Sequence, residues 1–97
     1  SPRPKVLVVA YQNPQWLAHA VQLAQALREE GYPVALDYQG RNLKKQFKKA
    51  DRIAAAFTLV LAADEVESGS VSVKNMASQQ QSKIHLKDLN EWLKKNY

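Results

Sequence analysis

Lys5-Val6-Leu7-Val8-Val9-Ala10 and Phe57-Thr58-Leu59-Val60-Leu61-Ala62 are short apolar runs rich in β-branched residues. The first reads as a strand buried on both faces, the kind found in parallel sheets, and the second as a further strand. Between them the pattern changes to a helical period. Asn13-Pro14 supplies an N-cap and a proline for the first helical turn. Leu17, Ala20, Val21, Ala24 and Leu27 then form an apolar stripe that Gly31 ends. Tyr32-Pro33-Val34-Ala35-Leu36-Asp37-Tyr38 is a second strand, with Pro33 tolerated at its start. Gly40-Arg41-Asn42 is a turn, and Asn42 caps a second helix running from about Leu43 to Ala55. Its apolar face is Leu43, Phe47, Ala50, Ile53 and Ala54.

Beyond the second apolar run, Asp64-Glu65-Val66-Glu67-Ser68-Gly69 reads as an acidic turn. Ser70 to Asn75 alternates polar and apolar residues, the pattern of a half-exposed strand. Ala77 to Ser82 is a polar hairpin connection, and Lys83-Ile84-His85-Leu86 is a short pairing strand. Leu86, Leu89, Trp92 and Leu93 space a final helix. Helical crossovers make the first three strands parallel, and the last two add as a hairpin at the edge. The expected fold is a three-layer α/β domain with a mixed sheet of about five strands and three helices. The 97 residues form one domain over 1–97, with no room for a second core.

Composition narrows the function classes. There is no cysteine, which excludes a disulfide scaffold, a cysteine zinc site and thiol catalysis. No apolar run approaches the roughly 18 residues of a membrane helix. The opening Ser-Pro-Arg-Pro has neither a signal-peptide core nor an initiator Met, so the chain reads as excised from a longer one or processed. The net charge of +5 favours a polyanionic partner. That charge concentrates in the second helix. Arg41, Lys44, Lys45, Lys48, Lys49 and Arg52 fall within an arc of roughly 140°, opposite the apolar face. Four of their pairs are like charges at i,i+4, each costing a few tenths of a kcal/mol. The arc reads either as a solvated face or as a surface for RNA or phosphate, with a protein contact as a third option.

Other features are less specific. Gly40 could admit a close ligand at a helix N-terminus, or merely make the turn. No dinucleotide or P-loop fingerprint is present. The acidic turn is a solvated loop or, at a sheet end where open α/β folds place ligands, an acceptor for base amino groups. His19 and His85 fit bland surface and capping roles. Trp92 lies on the core stripe of the last helix, and Trp16 and Tyr38 lie near one sheet edge. Tyr11 and Tyr38 are candidates for stacking on unpaired bases, against ordinary packing.

The stretch Leu36 to Asp51, with Gly40-Arg41-Asn42-Leu43-Lys44-Lys45-Gln46-Phe47-Lys48 at its heart, resembles the C-terminal anticodon-binding domain of histidyl-tRNA synthetases. That family typically carries Gly-Arg-Ser-Leu-Lys-Lys-Gln-Phe-Lys there, followed by Ala-Asp. The acidic turn, Gly69, the Val71-Ser72-Val73-Lys74 strand and the final Leu89 and Trp92-Leu93 follow in the family's order. Related class IIa domains share the layout without this run. Asn42 stands where Ser is usual, Ala55 where Gly is common, and Ala62-Ala63 where Gly precedes the acidic turn.

The resemblance implies an RNA-binding module of protein biosynthesis that holds the anticodon loop of histidine tRNA. A separate catalytic domain of the parent ligase would bind ATP and magnesium and charge the tRNA. This chain itself would be non-catalytic and hold no cofactor or metal. The implied parent is a cytoplasmic homodimer with no membrane association. Carried over residue by residue, Gln39, Asn42, Glu65 and Lys74 would read base edges. Gly40 would belong to the reading loop after the second strand, Asp64 to the turn after the third and Asn75, with Lys74, to the strand that follows, while Arg41, Lys45 and Lys48 would neutralise phosphates. Two other classes compete. One is a diverged paralogue acting as a protein-interaction or regulatory module, suggested by the glycine-to-alanine changes. The other is a small α/β enzyme using Asp37, Asp64 or Glu65, for which no nucleophile, base and orienter are evident.

Overall fold

A computed structural model describes residues 5–39 and 42–97, with Glu65 described through its backbone only. Strand β1 (Leu7–Tyr11) is buried along its whole length because both of its faces are covered. Leu7, Val9 and Tyr11 enter one core, and Val8 enters another on the opposite face. A single-turn 3-10 helix at Pro14–Trp16 leads into α1 (Leu17–Glu29), and Asn13 caps it by accepting the Gln15 N–H at 3.1 Å. β2 (Val34–Leu36), α2 (Leu43–Arg52) and β3 (Phe57–Leu61) follow. Next come α3 (Ala63–Ser68), β4 (Ser70–Asn75) and β5 (Gln81–His85). A 3-10 turn at Leu86–Asp88 then opens α4 (Leu89–Asn96).

The sheet order is β2-β1-β3-β4-β5. β1 pairs in parallel with β2 and β3, while β4 and β5 are antiparallel additions. The larger core joins Leu7, Val9, Leu59, Val71 and Val73 of the sheet to Ala20, Ala24 and Leu27 of α1 and to Leu89 and Leu93 of α4. The smaller core lies under α2, where Val8, Ala50 and Ala55 are flanked by Ala35, Ile53 and Met76. Helices therefore cover both faces, giving the expected three-layer mixed sheet of five strands.

Several boundaries differ from the sequence reading, among them β2, which covers only Val34–Leu36 of the stretch Tyr32 to Tyr38. The acidic stretch is not a turn but the short helix α3, so among the described residues four α-helices stand where three were expected. Ala63 to Ser68 holds no glycine or proline, and Val66 donates to the Ala62 carbonyl at 2.9 Å. Gly69, at φ +70°, ends it. β5 begins at Gln81 rather than Lys83, because Lys74 of β4 provides it with a pairing partner. The final helix starts at Leu89, after the 3-10 turn. Lastly, α2 stops at Arg52, and the left-handed residue beyond it is Ala54 (φ 55°). Ala55, where the family's glycine was placed, is instead buried in the smaller core.

Candidate nucleic-acid interface

The carboxyl end of β1 organises the site. The Leu7 N–H bonds the Pro33 carbonyl at 2.9 Å, so the odd-numbered residues of β1 turn their backbone groups towards β2. The β1–β2 pairing ends at Val9 and Leu36, which leaves the Tyr11 amide facing a place where β2 has already stopped. Gln46 of α2 fills it. Its Oε1 accepts the Tyr11 N–H at 3.0 Å, and its Nε2 donates to the Tyr11 carbonyl at 2.8 Å. Only 2% of Gln46 is exposed. A primary amide has one acceptor and donors in the same plane, so it reproduces the pairing of a strand neighbour. This bond docks α2 on the sheet and sets how far along the strands the helix sits.

The same tyrosine shapes the loop before α2. The Tyr11 hydroxyl donates to the Asp37 carbonyl. Asp37, itself buried, accepts the Gln39 N–H on Oδ1 at 2.8 Å, forming an Asx turn. Asn42 accepts the Lys45 N–H at 3.0 Å, which is the N-cap expected from the sequence. Gln39 and Asn42 are exposed at this edge. Gly40 and Arg41 lie outside the described residues.

With its inner face committed to Gln46 and Ala50, α2 turns its cations outwards. Lys44, Lys45, Lys48 and Arg52 are exposed and Lys49 is half-buried. Among the described residues, no ion pair joins these cations to a carboxylate. The pair found there is Lys94–Glu91 on α4, at 3.9 Å. Lys74 of β4 extends the cationic surface sideways, its ammonium lying 4.6 Å from the centroid of the half-buried Phe47 ring. Strands β4 and β5 continue the surface with Ser72, Lys74, Gln81 and Lys83, which the pairing register puts on the α2 face of the sheet.

The sequence-predicted residues do not all converge. Gln39, Asn42 and Asp64 share one edge, because β2 and β3 flank β1 in parallel and both end there. Asp64 is exposed on α3, and Glu65 is its neighbour on that helix. Lys45 and Lys48 lie on the outer face of α2. Lys74 is set back from the edge, since antiparallel β4 carries it opposite Thr58. Asn75 lies still farther back, opposite Phe57, and its side chain belongs to the hairpin. Its Oδ1 accepts the Ala77 and Ser78 N–H groups at 2.9 and 3.1 Å. Lys74 and Asn75 thus lie in the strand after α3, as the sequence reading placed them, with Asn75 at its far end. Tyr11 is also removed as a stacking candidate, being 1% exposed. Trp92 packs edge-on against Phe57 at 5.2 Å, as a core residue does. Sequence reasoning did not single out Gln46. The available signal was a lone polar side chain inside the apolar arc of a helix.

A groove of about 400 Å³ opens on the opposite side of the sheet, between α1 and α4, lined by Leu23, Leu61, Val66 and Leu86 with Glu29 and Glu30 at its rim. Among the described residues no three His, Asp or Glu side chains cluster to hold a metal ion. Likewise, no helix there is long and apolar enough to cross a membrane.

Comparison with known proteins accounts for this arrangement. The family model described as "Anticodon binding domain" matches residues 5–96. The histidine–tRNA ligase of Chlorobium phaeobacteroides is 41% identical over 90 residues, which is 93% of this chain and 21% of that protein. The crystal structure of histidyl-tRNA synthetase from Nostoc sp. PCC 7120 superposes with a TM-score of 0.87 at 31% identity, covering 97% of this chain and 23% of that one. The RNA-binding domain of threonyl-tRNA synthetase from Cryptosporidium parvum gives 0.86 at 17% identity over 96% of this chain and 24% of its own, a likeness of fold alone. The chain thus spans about a fifth of the length of the ligases it matches. It belongs to the anticodon-binding domain family, and within that family to the histidyl-tRNA synthetase type.

Proposed function

We propose that this chain grips the anticodon loop of histidine tRNA while a catalytic domain of the parent ligase, using ATP and magnesium, charges the other end. The observation that carries the reading is the uncompensated row of cations on α2 beside a loop edge that displays Gln39 and Asn42. A helix selected for stability alone would alternate its charges. Lys45 and Lys48, with Arg41, neutralise phosphates and set position. Gln39, Asn42, Glu65 and Lys74 read base edges, and Asp64 lines the same edge. Asn42 caps α2 through its oxygen, which leaves its amide nitrogen to donate to a base acceptor. Asn75 is proposed as an outlying member of this set, its Oδ1 held by the hairpin and its amide nitrogen left to donate. The parent is proposed to be a cytoplasmic homodimer.

The test is a titration of the chain against the anticodon stem-loop of histidine tRNA and a loop with the same stem and a changed anticodon, at low and moderate salt. A preference for the histidine anticodon that survives moderate salt is expected. Lys45→Ala or Lys48→Ala weakens both complexes alike and flattens the salt slope by up to about one unit each. Glu65→Ala or Lys74→Ala erodes discrimination by roughly 1–3 kcal/mol. Equal, salt-sensitive binding to both loops would overturn anticodon reading and leave a general basic surface. No observation favours the diverged-paralogue alternative, since the helix end at Ala54 keeps its turn without glycine.

A further inference from the structure

Three large side chains with apolar surface are exposed among the described residues: Tyr38 (59%), Tyr97 (43%) and Leu86 (42%). One of them is engaged, and another lies on the far side of the sheet from the α2 cations. Tyr97 packs edge-on against Tyr32 at 5.0 Å and donates its hydroxyl to the Lys5 carbonyl. Leu86 lines the α1–α4 groove. Tyr38 has neither an aromatic contact nor a side-chain hydrogen bond among the described residues. Yet its backbone is held from both sides. The Asp37 carbonyl before it takes the hydroxyl of buried Tyr11, and the Asp37 carboxylate takes the N–H of Gln39 after it. A ring on a tethered turn loses little freedom when something stacks on it, since only two side-chain torsions remain to be ordered. Four residues on, Asn42 opens the cationic helix α2.

We propose that Tyr38 is a stacking platform for one unpaired base of the bound anticodon loop. The inference rests on the tRNA reading above and adds to it a residue outside the base-edge and phosphate sets. A phenol ring offers its face to any base, so it contributes affinity rather than sequence preference. The α2 cations hold the adjoining phosphates. Stacking then gives a role to an aromatic ring left in water beside the cationic surface of α2.

The experiment measures the same two stem-loops against Tyr38→Ala, Tyr38→Leu and Tyr38→Phe. Ala and Leu are expected to weaken both complexes by about 5- to 100-fold, the range of one lost base–aromatic stack. Phe is expected to bind within about 3-fold of the parent chain, because the stack uses the ring and not the hydroxyl. The salt slope stays unchanged, as no phosphate contact is lost. Replacing each unpaired nucleotide in turn by an abasic one should reveal a single position at which the Tyr38→Ala penalty disappears. Tyr38→Ala binding as tightly as the parent chain overturns the proposal, as does a Phe variant as weak as Ala, or a penalty that no abasic position removes. If the parent chain binds neither stem-loop, it is the tRNA reading beneath the proposal that fails.

Discussion

Helices α1 and α2 have the same topological task, each carrying the chain from one parallel strand to the next, but they dock by different chemistry. α1 buries Ala20, Ala24 and Leu27 against the larger core, a broad apolar contact. α2 buries only Gln46 and Ala50. Apolar burial is non-directional and tolerates some sliding. A bidentate amide bond to one backbone residue does not. α2 therefore has its position along the strands fixed by Gln46 and Tyr11, with little apolar surface needed, and its outer face is free to carry cations that contribute nothing to stability. One buried polar contact thus fixes α2 along the strands while its outer face stays cationic.

The largest expected effect tests that contrast directly. Gln46→Leu adds apolar surface to the inner face of α2, yet it strands both Tyr11 backbone groups, at about 1–3 kcal/mol each. It should lower unfolding free energy in urea by roughly 2–5 kcal/mol, as much as Leu27→Ala in α1, which loses packing and leaves a cavity. A cost for Gln46→Leu below about 1 kcal/mol would show that α2 docks by apolar contact after all.

The helix ends sharpen the comparison at a smaller scale. Both close with the same pair of backbone bonds. In α1, Gly31 donates to Arg28 at 2.9 Å and Tyr32 donates to Leu27 at 3.1 Å. In α2, Ala54 donates to Asp51 at 3.1 Å and Ala55 donates to Ala50 at 3.0 Å. This is the Schellman arrangement, in which the residue after the cap adopts a left-handed conformation. Gly31 does so at φ +97°, whereas Ala54 does so with a Cβ to accommodate. A Cβ at Gly31 would meet nothing within 4 Å, so Gly31→Ala should cost about 1 kcal/mol through conformation alone. Ala54→Gly should stabilise by about 0.5–1 kcal/mol, the relief of strain being offset in part by unfolded-state entropy. Thermal denaturation of the two variants should give shifts of opposite sign.

The smallest effect concerns the charges. Lys48→Glu replaces two like-charge i,i+4 contacts, with Lys44 and Arg52, by attractive ones, and should stabilise the fold by about 0.5–1 kcal/mol. The same change should weaken stem-loop binding severalfold or more, because a phosphate contact becomes a repulsion. A chain that gains stability while losing RNA affinity would place the lysine row on the binding side of the stability–function balance. Unchanged RNA binding would return it to an ordinary solvated face.

Much of this was legible from residues alone, for identifiable reasons. Continuous apolar runs marked β1 and β3 as buried on both sides, and Asn13, Gly31 and Asn42 marked helix ends, because caps and periodicity act within a few residues. The cationic arc of α2 followed from the helical repeat. The acidic stretch was misread because six residues with one apolar position carry no helical stripe, and its helix is supported by Val66 reaching the larger core. How far Lys74 and Asn75 lie from the edge loops is not legible in the sequence, because it depends on β4 running antiparallel, so that each step along it leads away from that edge.

By itself the sequence determined the local facts: which residues alternate, which face of each helix is apolar, where the chain turns, and that the five cations of α2 share one face. Tertiary structure alone decided the rest. It supplied Gln46 with a partner 35 residues away, moved the left-handed position to Ala54, committed Asn75 to a hairpin and left Tyr38 facing water. The division has one physical cause. Periodicity and capping depend on neighbours a turn apart, whereas the partner of a buried polar group depends on which strand ends first.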